Sequence, residues 1–374
     1  MLAACSNAND STTPLGTAGG PQTPVATAAP GYYATLGNAI IDDAGQVALL
    51  RGINWTGMEG ANYAPGGLNE RAMPVLLDQL AQLGFNIVRI PFSTAMLDPG
   101  QTPNNIDFAK NPDLENISPL EVLDKVIEAV GARGMKVILA RERLAANDGG
   151  RGLWYNLDYP EERWIADWEM LAERYGAGNT VIGVELHHAP GNNATWGDDD
   201  PDTDWKAAAE RAGNAVLAKN SQLLILVQGI ETYDSFEYWP GANLAGARTA
   251  PVTLDVPGRL VYAANMYSPT LDDTRPWFLD PAYPDNLAAV WDGAWGYLAA
   301  EGIAPVMLSE VGSQTLTLDE RQWTRTWSAY VQDKRSSFAW SAFNPNPRAS
   351  IGVMQANWET IEADAMAVLT PLLP

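Results

Sequence analysis

Only one cysteine, Cys5, stands among 374 residues, so no disulfide within the chain contributes to its fold. Histidine is almost as scarce, with His187 and His188 the only two. Positive charge is also short. Lysine and arginine total 23 against 45 aspartates and glutamates, giving a formal net charge of −22. A surface of that sign repels phosphate backbones and excludes a nucleic-acid partner. No run of about 18 apolar residues occurs, so no membrane-spanning helix is expected. Two loop signatures are missing as well: there is no G-x-G-x-x-G phosphate turn of an open dinucleotide-binding sheet, and no G-x-S-x-G elbow of a serine esterase.

What is present is a chain able to build a large core, 46% hydrophobic and 18% charged. Fourteen tryptophans and 13 tyrosines outnumber 7 phenylalanines, a balance found where flat apolar faces carry a polar handle, although core packing should claim most of them. Residues 1 to 30, rich in Ala, Ser, Thr, Pro and Gly, read as a disordered tail or tether, and 31–374 as a single domain. Leu2-Ala3-Ala4-Cys5 resembles a lipoprotein processing site without its apolar signal region. Hence a secreted or extracellular location is expected, derived from a lipoprotein if Cys5 is that site, or recombinant if the chain is designed.

From residue 47 onward, short β-rich apolar runs alternate with amphipathic segments. The strand candidates are Val47–Asn54, Asn86–Pro91, Lys136–Leu139, Val181–Leu186, Leu223–Val227, Leu260–Ala264, Pro305–Leu308 and Ser337–Ala342. Helical spacing covers Glu70–Leu83, Pro119–Arg133, Pro160–Tyr175, Asp204–Lys219, Asn286–Glu301 and Leu318–Asp333. Eight strands each followed by a helix predict a closed α/β barrel of the (β/α)8, or TIM, type. Working residues in such barrels sit at the carboxyl ends of the strands, which directs attention to eight short windows.

Those windows, and much of the chain between them, resemble the endoglucanases of glycoside hydrolase family 5. The matching stretches include Arg51-Gly52-Ile53-Asn54-Trp55, Asn62-Tyr63-Ala64-Pro65, Arg89-Ile90-Pro91-Phe92, Ala194-Thr195-Trp196-Gly197 and Asn344-Pro345-Asn346. The resemblance implies cleavage of β-glucan by two carboxylates, one protonating the leaving oxygen and one attacking the sugar carbon. It places the nucleophile at Glu310 in Ser309-Glu310-Val311-Gly312. It places the acid in an Asn-Glu-Pro motif that here reads His188-Ala189-Pro190, so the acid position is Ala189. Further departures fall in the same windows: Gly66 for His, Asn69 for Trp, Glu142 for His, Asn265 for His, and Ser341 where a sugar-stacking Trp is expected. This clustering suggests a pocket rebuilt by design or by selection, with β-glucan hydrolysis lost or very weak.

Three side chains carry the remaining chemistry: Glu310 as a desolvated base or nucleophile, and His188 oriented by Glu142 as a second general base. Proton abstraction from a small aromatic substrate, of the Kemp-elimination kind, is the repurposed reaction these would suit; a residual endoglucanase and a non-catalytic binding barrel are the alternatives. Trp55, Tyr63, Trp239, Tyr267 and Trp340 are candidates to stack a saccharide or other small ligand in the barrel mouth, with Arg89, Asn265, Met266 and Ser341 beside them. No cofactor is expected. No metal is expected either, because adjacent histidines on a strand face opposite ways and cannot share an ion. The chain should act as a monomer.

Overall fold

Eight parallel strands close on themselves in the computed structural model, which describes residues 27–345, 347 and 350–373. In chain order the barrel strands are Arg51–Asn54, Ile87–Ser93, Lys136–Arg143, Val181–Glu185, Leu224–Gln228, Leu260–Tyr267, Val306–Gly312 and Ser337–Ser341. Each pairs with the next, and the eighth pairs with the first, forming the closed barrel that the alternating pattern predicts. The first strand begins at Arg51 rather than Val47; Val47 makes only an isolated bridge to Ile41.

Strand alternation sorts the side chains into two layers. Ile87, Ile138, Ile182, Leu224, Leu226, Val261, Ala263, Met307 and Ala339 fill the barrel interior. Their neighbours Val88, Leu139, Ile225, Tyr262, Leu308 and Phe338 face outward into the larger core beneath the helices. All fourteen tryptophans lie in buried positions, ten of them with less than 2% exposure, so the indole surplus serves packing first.

The helices start where capping chemistry places them. Ser118 and Glu121 form a reciprocal capping box at Pro119–Gly131, and Thr317 with Glu320 does the same at Leu318–Lys334. The segment expected as one helix from 286 to 301 is divided by a five-residue π turn, Asp292–Gly296. Two short hairpins and a closing helix, Ala363–Leu369, carry too little periodic pattern to be read from sequence. The hairpin Ala34–Leu36/Ala39–Ile41 places Ile40 against the interior layer at the amino end of the barrel.

Residues 1–26 of the expected tail, Cys5 included, lie outside the described residues. Its last four residues correct the predicted boundary, because they dock. Arg259 Nη2 donates to Thr27 O at 3.0 Å, the Ala29 amide to Gln222 Oε1 at 2.9 Å, and Asn179 Nδ2 to Pro30 O at 3.1 Å. Backbone hydrogen bonding to side chains of the barrel, the buried Arg259 among them, supplies what the apolar content lacks. Arg259, 4% exposed, also donates to Ser221 O and Tyr33 O. Replacing it with alanine removes a charged donor from several carbonyls at once. Arg259→Ala is expected to lower unfolding free energy by about 2 kcal/mol, and a urea melt with an unchanged midpoint would contradict this.

Candidate active site

The carboxyl end of the barrel opens into a cavity of about 430 Å³. Its floor begins with Arg89 on the second strand, 1% exposed. The guanidinium grips Glu185 through Nε at 3.2 Å and Nη2 at 2.6 Å, and donates through Nη1 to Asn54 Oδ1 at 2.7 Å. Burial disfavours the Glu185 carboxylate, but Arg89 more than offsets it and holds the pKa down at about 2. Gln228, at the end of the fifth strand, links this pair to the mouth. Its Nε2 donates to Glu185 at 2.8 Å, Asn265 Oδ1 at 3.1 Å and Ser309 Oγ at 3.1 Å, while its Oε1 accepts from the Ala189 amide at 2.7 Å.

Glu310 reaches the cavity because the seventh strand is irregular there. Ala264 pairs with Leu308 but Asn265 pairs with Glu310, leaving Ser309 as the extra residue of a bulge. Ser309 and Glu310 therefore both face the interior, and Val311 returns to the outer core. The Tyr267 hydroxyl and the His188 ring face the Glu310 carboxylate, with His188 Nε2 at 3.7 Å from Oε2. Burial raises the Glu310 pKa and Glu142 adds to it, while His188 and Arg89 pull it back. Burial also raises Tyr267 well above its ordinary value, reinforced by the nearby Glu310 charge.

The two histidines, just past the end of the fourth strand, point opposite ways. His187 points outward, where Arg141 Nη1 donates to its Nδ1 at 2.8 Å, and burial with that charge keeps it neutral. His188 points inward, 6% exposed, its Nε2 lying 3.5 Å from Glu142 Oε1. Burial disfavours its protonated form, yet Glu142, Glu185 and Glu310 overcome this and raise its pKa. Glu142 stands between two cationic groups, with Oε2 3.5 Å from Arg89 Nη2. The structure thus brings together Glu310, His188, Glu142, Arg89, Tyr267, Asn265 and Ser341.

Four expected ligand contacts are not made. Trp55 and Trp340 are fully buried in the outer core, their indole N–H groups bonded to Gly66 O and Ile351 O, and Met266 joins them there. Each sits one residue away from an inward-facing neighbour, so alternation turns it from the cleft. Ala264 and Val311, which flank the site in sequence, are likewise in the outer core. Tyr63 packs against the core and does not line the cavity. Instead Trp239, with Arg275 4.6 Å above its ring, forms the aromatic wall. Arg143, at the end of the third strand, also lines the cavity, as do Arg275, Asp272 and Arg151, which lie beyond the strand-end windows and would have been found by reading further into each loop. Ala189 lines the mouth with a left-handed backbone (φ 49°). Gly241 packs against it, where any Cβ would stand 2.0 Å from Gln228 Oε1 and 2.9 Å from the Ala189 Cα.

Residues 42–347 match the model of the cellulase family, glycosyl hydrolase family 5. An endoglucanase of Paenibacillus polymyxa is 43% identical over 335 residues, covering 88% of this chain and 84% of that protein. The catalytic domain of the major endoglucanase of Xanthomonas campestris pv. campestris superposes with a TM-score of 0.85 at 33% identity, over 91% of this chain and 99% of that one. An endocellulase of Pyrococcus horikoshii, crystallised with cellotetraose, gives 0.85 at 31% identity over 92% and 98%.

The Arg89–Glu185 pair makes a pH-dependent contribution. The Glu185 carboxyl, at about 2 when folded against an ordinary 4.5, stabilises the fold fully above about pH 4.5, and this is lost as pH falls through about 2. Glu185→Gln leaves Arg89 buried without its counter-charge and should cost about 3–5 kcal/mol at pH 6. The gap to wild type should narrow on acidification, as urea melts at pH 6 and pH 3 would register; a gap independent of pH would contradict the pairing.

Proposed function

The chain belongs to the cellulase family, glycosyl hydrolase family 5, and from that premise we propose that it is a β-glucan-directed hydrolase retaining only the nucleophilic half of the reaction. The observation that carries this reading is the pairing of an inward Glu310 with a methyl group at Ala189. A retaining glycosidase needs a carboxylate to attack the sugar carbon and a carboxylic acid to protonate the departing oxygen. Glu310 is placed for the first task, beside Arg89 and Tyr267. Nothing at 189 performs the second. Glu142 does not replace it, since its two oxygens are turned to His188 and Arg89.

Losing the acid costs factors of about 10²–10⁴ on an unactivated glycoside. The loss is small for an aryl β-cellobioside, whose phenolate leaves without a proton. The same missing group would activate water in the second step, so a glycosyl–Glu310 ester accumulates. Abstraction of a proton from carbon, which the sequence also raises, calls for an apolar setting around the base; Arg89, His188 and Tyr267 surround Glu310 instead, and this favours the hydrolytic reading. The ligand class follows the Pyrococcus relative crystallised with cellotetraose. Secretion follows the Xanthomonas relative described as a major extracellular endoglucanase. Among the described residues no helix is long and apolar enough to cross a membrane.

With a dinitrophenyl β-cellobioside, the protein is expected to release one equivalent of phenol in a burst and then turn over slowly, with azide accelerating the slow phase. Glu310→Gln should abolish the burst, and carboxymethylcellulose should be cut at least about 100-fold more slowly than by an intact family member. Brisk hydrolysis of the polymer, or an undiminished burst in the Gln variant, would overturn the reading.

A further inference from the structure

Among the described residues, one place brings three potential ligand side chains together, with atoms of Glu142, His188 and Glu310 all within 4.8 Å of one another. We propose that these three side chains form a binding site for a divalent transition-metal ion of the Zn²⁺ class, open to the cavity. The proposal does not depend on the hydrolytic reading above.

The geometry supplies the first argument. His188 Nε2 lies 3.5 Å from Glu142 Oε1 and 3.7 Å from Glu310 Oε2. Those separations are too long for good hydrogen bonds. They approach what two ligands on one ion require, since bonds of about 2.1 Å meeting at a tetrahedral angle set ligand atoms about 3.4 Å apart.

Unmet polar atoms supply the second. The His188 ring is only 6% exposed, and its Nε2, aimed at the two carboxylates, lies too far from either for a normal hydrogen bond. Glu142 Oε2 is buried and accepts no hydrogen bond; its nearest cation, Arg89 at 3.5 Å, is already committed to Glu185 and Asn54. A buried polar atom without a partner, as Glu142 Oε2 is, calls for an explanation in a native fold, and an ion is one.

Charge supplies the third. Arg89 pairs first with Glu185 and more distantly with Glu142, which leaves the Glu142 and Glu310 carboxylates converging on one histidine ring. A divalent cation neutralises that pair. Behind the ring, His188 Nδ1 lies 3.3 Å from both Arg89 Nη2 and Gln228 Nε2 and 3.8 Å from Glu185 Oε1, so an ion on Nε2 requires the Nδ1 proton to turn to Glu185, the outer carboxylate that metal-bound imidazoles commonly meet. One imidazole and two carboxylates suit Zn²⁺ and its first-row neighbours better than Ca²⁺ or Mg²⁺, which favour all-oxygen shells. Three protein ligands leave a coordination position facing the cavity. The two-histidine site that strand alternation rules out is not needed, because His187 takes no part.

The test uses the full chain freed of metal by chelator and dialysis, then titrated calorimetrically with Zn²⁺ alone. One equivalent is expected to bind, and Glu142→Gln and His188→Asn should each weaken it by at least about 10–100-fold, with Tm measured on each variant to establish folding. Asp198→Asn/Asp200→Asn, in the acidic loop before the helix Trp205–Lys219, should bind Zn²⁺ as wild type does. Anomalous scattering at the zinc edge from a Zn²⁺-soaked wild-type crystal should place the ion between the three side chains, a readout independent of whether a variant folds. Absence of that peak, absence of stoichiometric binding, or equal binding by a folded His188→Asn variant would each overturn the proposal.

Discussion

The contact on which this molecule turns is the buried pairing of Arg89 with Glu185. Neither charge could stand alone inside the barrel, because an isolated ion in so dry a setting is costly enough to unfold the chain or lose its charge. Fixed together, they become a polar platform at the depth where the hydrophobic filling of the barrel ends. Asn54 is held by one end of the guanidinium, and Gln228 by the carboxylate. Through Gln228 the platform extends to Asn265, Ser309 and the backbone of Ala189. These residues are thereby anchored to a pair that cannot move without exposing a bare charge.

The barrel was legible because its signals repeat. Eight apolar runs alternating with amphipathic helices admit few other arrangements, and the proline after Ser118 and the acids after Thr317 mark helix starts through chemistry local to a few residues. The inward positions of Arg89, Asn265 and Ser341 follow from the same period-two rule, counted from the strand ends. That rule also shows why Trp55, Trp340 and Met266 were poor candidates: each neighbours an inward residue and so must face the helices. The reading by residue type favoured aromatic surface, whereas parity along the strand decides access.

Other features had no local signature. The bulge that turns both Ser309 and Glu310 inward depends on how the sixth and seventh strands match lengths, a relation between segments distant in sequence. The polar surroundings of Glu310 depend on His188, Tyr267 and Arg89 arriving from three other strands. Gly66, read from the sequence as standing where the family resemblance implies a histidine, shows the same limit. Trp358, nearly three hundred residues later, presses its ring where a side chain at 66 would project, with Asn344 alongside. Space beside one window is filled from a distant part of the chain, and only the folded chain displays it.

The burial of every indole has an optical consequence. Ultraviolet emission from this chain arises from fourteen chromophores shielded from water, most of them coupled in clusters such as Trp154, Trp164 and Trp205 or the stacked Trp323 and Trp327. Trp239 alone among them borders the cavity, under the Arg275 guanidinium. Intrinsic fluorescence in this protein therefore reports whether the scaffold is intact and carries little information about what occupies the mouth. A spectroscopic view of occupancy has to come from an extrinsic label, or from a variant in which Trp239 is the indole that changes.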